Sequence, residues 1–534
     1  MTSLEASAVL ACSSTSDPPL AASNPLVGGG GAGGAAAAAP AEAEPTVSSS
    51  GSGSRDEGPP SIAGLSGSGN TASDDGGPPG SNGGGAAGDG AAGNGAQAPP
   101  VPAACTASTS NASGYCWRSV AIGGGGFVSG IVASATTPGL VYARTDVGGA
   151  YRWNESDQSW TPLEDWASEN ETGLLGVESL ALDPSAPNRV YMLAGIDYFN
   201  NGKTAILSSE DYGQTFSVHE VTGQFRAHGN GAGRQNGERL AVDPSDGSVL
   251  FVGTRRDGLF RSTDRGATWM RVTSLDVTTT PNDNGIAFVV FDAAGTAEGA
   301  TPTLFVGVSR LDAPNLFASR DGGATFAAVA GQPTGLMPQR AVLGSDDSVL
   351  LTYANGAGPN GSTREPMDRG AIWRLARESG IWTDITPLRE NQNRAFGGLS
   401  VDRADPRRIV ASTINTYQQQ PWGYGDRIFL STDGGASWVD LIGERRVAMD
   451  TNGIPWIENQ AMHWVGSIQI DPFNPERAWL TSGNGVFMTN DLDAELSTWS
   501  FAARGLEEVV PLDAVSVRGA PLVSSIGDYD GFVH

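Results

Sequence analysis

Four stretches of this chain carry one phrase: SSEDYGQTF (208–216), STDRGATW (262–269), SRDGGATF (319–326) and STDGGASW (431–438). Ser-x-Asp-x-Gly-x-Thr/Ser before an aromatic residue describes a tight hairpin turn whose hydroxyls and carboxylate bond the local backbone. Degenerate copies follow the same rhythm at Arg152 (YRWNESDQSW), Arg374 (IWRLARESGIW) and Thr489 (MTNDLDAELSTW). With 152, 208, 262, 319, 374, 431 and 489 as markers, successive spacings run from 54 to 58 residues. A period this regular means one structural unit repeated.

Between the turns lies a second phrase: LALDPSAPNRVYMLAG (180–195), LAVDPSDGSVLFVGT (240–254), LSVDRADPRRIVAST (399–413) and IQIDPFNPERAWLTSG (468–483). Each reads as strand, turn, strand. Two strands here and two flanking the first phrase make about four per repeat, the content of a β-propeller blade, and the first phrase matches the Asp box of such blades. No run of helical periodicity competes. The expected fold is all-β: a seven-bladed β-propeller over residues 115–455, then an incomplete second propeller over 456–534. Asp211, Asp264, Asp321 and Asp433 are expected to be structural Asp-box residues, because a catalytic group has no reason to occur once per blade.

The first hundred or so residues are built differently. Segments such as GGGGAGGAAAAAP (28–40) hold almost no large apolar side chain, so they cannot offset the entropy of ordering, and residues 13–114 read as a disordered tether. Residues 1–12 resemble the remnant of a lipoprotein signal. Cys12 follows Val9, Leu10 and Ala11 as in a bacterial lipobox and is the lipidation candidate, although Glu5 and the lack of a basic region depart from that pattern. Cys105 and Cys116 are close enough in sequence to close a small loop in an oxidising compartment. The expected location is extracellular or at the cell surface.

A formal net charge of −26 argues against nucleic acid and anionic membrane as partners, since both demand a Lys/Arg surface. No stretch of about 20 apolar residues is present to span a bilayer. Gly123 to Gly126 lack the Lys-Ser/Thr of a phosphate loop and are expected to permit a tight backbone path. The four histidines, His219, His228, His463 and His534, show no ligand spacing, so neither metal nor cofactor is expected.

Two stretches break the repeat: WRSVAIGGGGFVSGIVASATTPGLVYARTDVGGAYRW (117–153) and GLEEVVPLDAVSVRGAPLVSSIGDYDGFVH (505–534). With GRQNGERLAVDPSD (233–246) and MHWVGSIQIDPFNPERAW (462–479), they closely resemble glycoside hydrolase family 74, the xyloglucanases. That resemblance implies two facing propellers and inverting hydrolysis of the β-1,4-glucan backbone of xyloglucan. It also implies catalytic aspartates in the ARTD-x-GG-AYRW and GD-x-x-GF-x-H motifs, here Asp146 as general base and Asp528 as general acid. Inversion needs carboxyl groups about 6.5–9.5 Å apart, so residues 382 positions apart must be brought together by the fold. Asp530 is a local rival to Asp528.

Trp422, Tyr424, Trp456, His463 and Trp464 lie in repeat-breaking stretches and are the substrate-binding candidates, since sugars present apolar faces and polar rims. A monomer acting endo on xyloglucan or a related β-glucan is expected. Reducing-end exo action, a sialidase and a non-catalytic Asp-box propeller are the alternatives weighed. In the family the second ring is complete, so a chain carrying only its beginning is expected to have low activity and stability.

Overall fold

A computed structural model describes residues 121–293, 299–387, 394–516, 518–527, 529 and 531–534. Cys12, the tether, Cys105 and Cys116 lie outside the described residues, as do Asp528 and Asp530.

The repeated turns join the third and fourth strands of four-stranded antiparallel sheets. At Asp264, Ser262 Oγ donates to the carboxylate at 2.8 Å, the Gly266 N–H donates to Ser262 Oγ at 2.9 Å, and Thr268 donates through N–H and Oγ1 at 2.9 and 2.6 Å. The same bonds recur at Asp211, Asp321 and Asp433. They favour the ionised form: the Thr325 hydroxyl, above all, holds the Asp321 carboxyl down at about 2. Gly266 sits at φ +81°, a backbone region that side chains disfavour. One marker is off by a residue. Ser209, not Ser208, holds Asp211, because Ser208 Oγ faces the His219 ring across the next strand at 3.2 Å.

The second phrase turns the chain from first strand to second. Asp183, Asp243, Asp402 and Asp471 each accept the N–H two residues on, at 2.8 to 2.9 Å. This is an Asx turn, which needs no partner beyond the loop itself.

Seven such sheets follow in chain order. The first comprises Val128–Ala133, Val141–Thr145, Ala150–Asn154 and Ser159–Pro162. The next five begin at the strands Val177–Leu182, Leu240–Val242, Ile286–Asp292, Met337–Leu343 and Phe396–Val401. The seventh comprises Ile468–Ile470, Ala478–Ser482, Gly485–Thr489 and Ser497–Phe501, with Val447–Asp450 added in parallel at its outer edge. Each sheet touches the next through its opening strand, and the seventh touches the first. An apolar cluster fills every junction, such as Tyr191, Leu193, Leu250, Val252 and Trp269 between the second and third. Burial on both faces explains why these strands read as continuous apolar runs.

The last junction crosses the expected boundary at residue 456: Trp479, Val486 and Met488 pack with Val128, Tyr151, Trp153 and Trp160 of the first sheet. Trp479 lies edge-on to Trp153 and Trp160, with centroids at 4.9 and 5.9 Å. The turn of the seventh sheet, at the degenerate marker Thr489, carries extra residues: the Asp491 N–H donates to Thr489 Oγ1, and the Asp491 carboxylate reaches forward to accept the N–H of Thr498. Only Pro511–Ser516, Leu522–Ile526 and Gly531–Val533 form a separate three-stranded sheet, with Leu512, Val515, Val523 and Val533 exposed. No α-helix occurs among the described residues, and none is available to cross a membrane.

Two outcomes follow from this packing. Trp479→Ala empties a closed junction and is expected to cost about 3–5 kcal/mol in urea unfolding; an unchanged midpoint would show that the junction does not hold the ring. Glu164, buried behind the first sheet, accepts the Ala150 N–H at 2.8 Å, and burial pushes its carboxyl up to about 8. Because the folded state keeps a proton that the unfolded chain releases, stability falls as pH rises from the ordinary carboxylate range through about 8. Glu164→Gln is expected to flatten that fall in Tm; identical slopes for parent and variant would contradict it.

Candidate active site

Asp146 follows the second strand of the first sheet, in the turn Thr145-Asp146-Val147-Gly148-Gly149. Thr145 Oγ1 donates to the Gly149 carbonyl at 2.8 Å and accepts the Gly148 N–H at 2.9 Å, which closes the turn without using the Asp146 carboxylate. A simple turn aspartate would be spent on its own loop. Asp146 is instead buried, with Oδ2 2.8 Å from Arg234 Nε, and its carboxyl is hydrogen-bonded to that of Glu508. Burial raises the Asp146 carboxyl above its ordinary range, while Arg234 and the bond to Glu508 oppose the rise.

Arg234 lies in a crossing segment between the second and third sheets. The Gly237 N–H donates to the Gln339 carbonyl at 2.8 Å, and Gln235 Nε2 donates to the Ala357 carbonyl at 2.6 Å, so this segment reaches the fifth sheet. It is pinned from below by Arg144, which donates to Glu238 at 2.9 Å and to the Arg234 carbonyl at 2.8 Å. Arg239 and Arg255 flank the buried Glu178 at 3.0 and 2.6 Å. These buried charges are paired, as their desolvation requires.

An aromatic path leads away from Asp146. The Arg234 guanidinium lies 5.1 Å from the Phe127 ring, and Phe127 meets Trp464 edge-on at 5.6 Å. Trp464 Nε1 donates to the Tyr417 hydroxyl at 2.9 Å, and the His463 ring lies 5.6 Å from Trp464. His463 faces Asn484 on its other side, with 3.5 Å between Nδ1 and Asn484 Nδ2. Asn484 in turn accepts from the Tyr529 hydroxyl, and Tyr529 packs against Trp456 at 5.0 Å. Tyr529 is thereby tied to the path that starts at Asp146, while its chain neighbour Asp528 lies outside the described residues. The hairpin carrying Tyr529 is anchored by the Gly527 N–H on the Val510 carbonyl at 2.8 Å.

The five aromatic candidates therefore divide. Trp464 is joined to Asp146 through Phe127 and Arg234, and Trp456 packs against Tyr529. His463 is a linker between the two, largely enclosed against Gly483. Tyr424, 64% exposed, and Trp422 sit on a hairpin of Gln418–Gln420 and Gly423–Gly425, an insertion within the sixth sheet. Trp422 packs against the cluster between the sixth and seventh sheets. Arg234 and Glu508 were not singled out from sequence, although both lie in stretches that carry the family resemblance, GRQNGERLAVDPSD and GLEEVV. Arg234 directly follows Gly233, a charge beside glycine that could have flagged it, whereas Glu508 stands three residues past Gly505 and carries no such signal. Among the described residues no His/Cys/Asp/Glu group is arranged to hold a metal.

Comparison with known proteins gives consistent results. No family model matches the chain. It is 39% identical over 466 residues to the xyloglucanase Xgh74A of Acetivibrio thermocellus, covering 79% of this chain and 53% of that protein. It is 32% identical over 495 residues to the oligoxyloglucan-reducing end-specific xyloglucanase of Emericella nidulans, covering 80% of this chain and 59% of that protein. The crystal structure of the glycoside hydrolase family 74 enzyme of Niastella koreensis superposes with a TM-score of 0.74 at 48% identity, over 78% of this chain and 59% of that one. The chain thus spans somewhat more than half the length of these relatives. With identity of this order over about four fifths of its own length, the chain belongs to glycoside hydrolase family 74.

Proposed function

We propose that the chain hydrolyses the β-1,4-glucan backbone of xyloglucan with inversion, using Asp146 as general base and Asp528 as general acid. The observation that carries this reading is the buried Asp146 carboxylate held between Arg234 and Glu508, in a turn that does not need it. The relatives named xyloglucanases support the substrate. In the proposed step, Asp146 takes a proton from water as the water oxygen bonds to the anomeric carbon. The bond from that carbon to the leaving sugar oxygen breaks, and Asp528 gives that oxygen its proton.

The seven sheets are read as the blades of one β-propeller, and Pro511–Val533 as the opening of a second, whose wall carries Asp528. Trp464, Trp456, Tyr424 and Trp422 are proposed to border the glucan, with His463 supporting Trp464. An extracellular location follows from a polymeric substrate. Endo action is favoured, because the hairpin at 418–425 adds only two short strands beside the site.

Asp146→Asn and Asp528→Asn are each expected to lower the release of reducing ends from xyloglucan by about 10²–10⁴-fold; parental rates in both would overturn the assignment. Endo action is expected to drop the viscosity of xyloglucan well before reducing ends accumulate. Viscosity falling only in step with them would favour the reducing-end mode of the Emericella nidulans relative. Arg234→Gln removes the cation that opposes protonation of Asp146, so the acidic limb of kcat/KM is expected to move to higher pH. An unmoved limb would detach Arg234 from the base.

A further inference from the structure

Within the glycine run at 123–126 and the pair Gly148-Gly149, which have no chemistry of their own, Gly126 and Gly148 both face one side chain. A methyl group on Gly126 would overlap the carboxyl and the carbonyl of Glu508, and one on Gly148 would fall 2.6 Å from Glu508 Cγ. Glu508 is 2% exposed and bonded through its carboxyl to Asp146. Its neighbour Glu507 points elsewhere, accepting the N–H groups of Ile122 at 2.8 Å and of Gly123 at 3.1 Å. The two successive acids are thus separated, and one of them is delivered to the base through a gap that only glycine leaves open.

Two buried carboxyl groups cannot share a hydrogen bond unless one carries a proton. We infer that Glu508 is a positioning residue of the hydrolase reaction: seated between Gly126 and Gly148, it carries the shared proton and donates it to Asp146, which stays anionic against Arg234. This rests on the reading of Asp146 as the base. The groups facing the pair support the assignment. Arg234 stands against Asp146, so the negative charge belongs there. Among the described residues, Tyr151 from the first sheet, Glu164 beside Gly149 and the adjacent Glu507 stand near the pair, and each is itself an acid. The cost of a second buried negative charge is avoided by leaving Glu508 neutral. A donated bond on one side and an ion pair on the other leave Asp146 little freedom to turn away from its water.

Glu508→Gln keeps the shape and provides a permanent N–H donor, whereas Glu508→Ala removes both. The glutamine variant is expected to keep kcat on xyloglucan within roughly fivefold of the parent. The alanine variant is expected to lose about 10²-fold in kcat with KM little changed, as a misplaced base does. Its acidic limb in kcat/KM is expected to move to higher pH, because Asp146 has lost a donor to its charged form. Tm and binding of a xyloglucan oligosaccharide, measured on every variant, separate this effect from misfolding. Should Ala fail to fold, Glu508→Leu takes its place. A glutamine variant as impaired as the alanine one would overturn the inference, as would an alanine variant with an unmoved acidic limb. Asp146→Asn assayed alongside keeps the two readings apart: if it matches the parent, the base assignment fails whatever Glu508 does.

Discussion

Everything at the site depends on the junction between the seventh sheet and the first. Trp479 enters beside Trp153 and Trp160, whose own centroids lie 5.2 Å apart, and Trp160 Nε1 donates to the Ala502 carbonyl at 2.7 Å. Three large rings close the circle of sheets and fix where the chain goes next. Just past Ala502 the backbone runs back over the first sheet, where the Gly124 N–H meets the Leu506 carbonyl and the Trp160 N–H meets that of Arg504. Glu508 then falls beside Asp146, more than 350 residues earlier in the chain. Tryptophan suits this task because it buries more area than any other side chain, and Trp153 and Trp160 each give their N–H an acceptor, Glu155 at 2.8 Å and the Ala502 carbonyl.

The same closure decides the electrostatics. Residues 233–239 bond to the first sheet through Arg144 and to the fifth through Gln339, and they bring Arg234 to Asp146 and Arg239 to Glu178. A chain with a net charge of −26 thereby places several of its arginines inside, with Arg234, Arg239 and Arg255 each against a buried carboxylate. Pairing of this kind does little for stability compared with an apolar core. Its effect is to hold carboxyl groups in fixed protonation states close to one another, which is what acid–base chemistry on a glycosidic bond requires.

The parts of the fold legible in the sequence were those made by local bonds. Ser262, Asp264, Gly266 and Thr268 satisfy one another within seven residues, so the turn leaves the same trace wherever it occurs. The seventh sheet left only a degenerate trace because its turn is stretched between Asp491 and Thr498, and its outer strand, Val447–Asp450, arrives in parallel from earlier in the chain. At the site, Asp146 was reached only through the family resemblance; its local sequence reads equally well as a Gly-Gly turn. Arg234 and Glu508 were beyond local reading because their roles exist only once distant segments meet. The glycines around Glu508 were noticed as a tight backbone path, and what they make room for became visible only in three dimensions.

Stereochemistry offers the most direct test. If Asp146 activates water on the face opposite the leaving sugar, hydrolysis gives the α-anomer of the new reducing end, and retention would instead require a carboxylate attacking carbon at about 5–5.5 Å from its partner. Proton NMR of the anomeric signals, recorded as the protein cleaves a xyloglucan oligosaccharide, is expected to show the α-anomer first and the β-anomer growing in only by mutarotation. A β-anomer appearing first would contradict the base role of Asp146 and the clamp built around it.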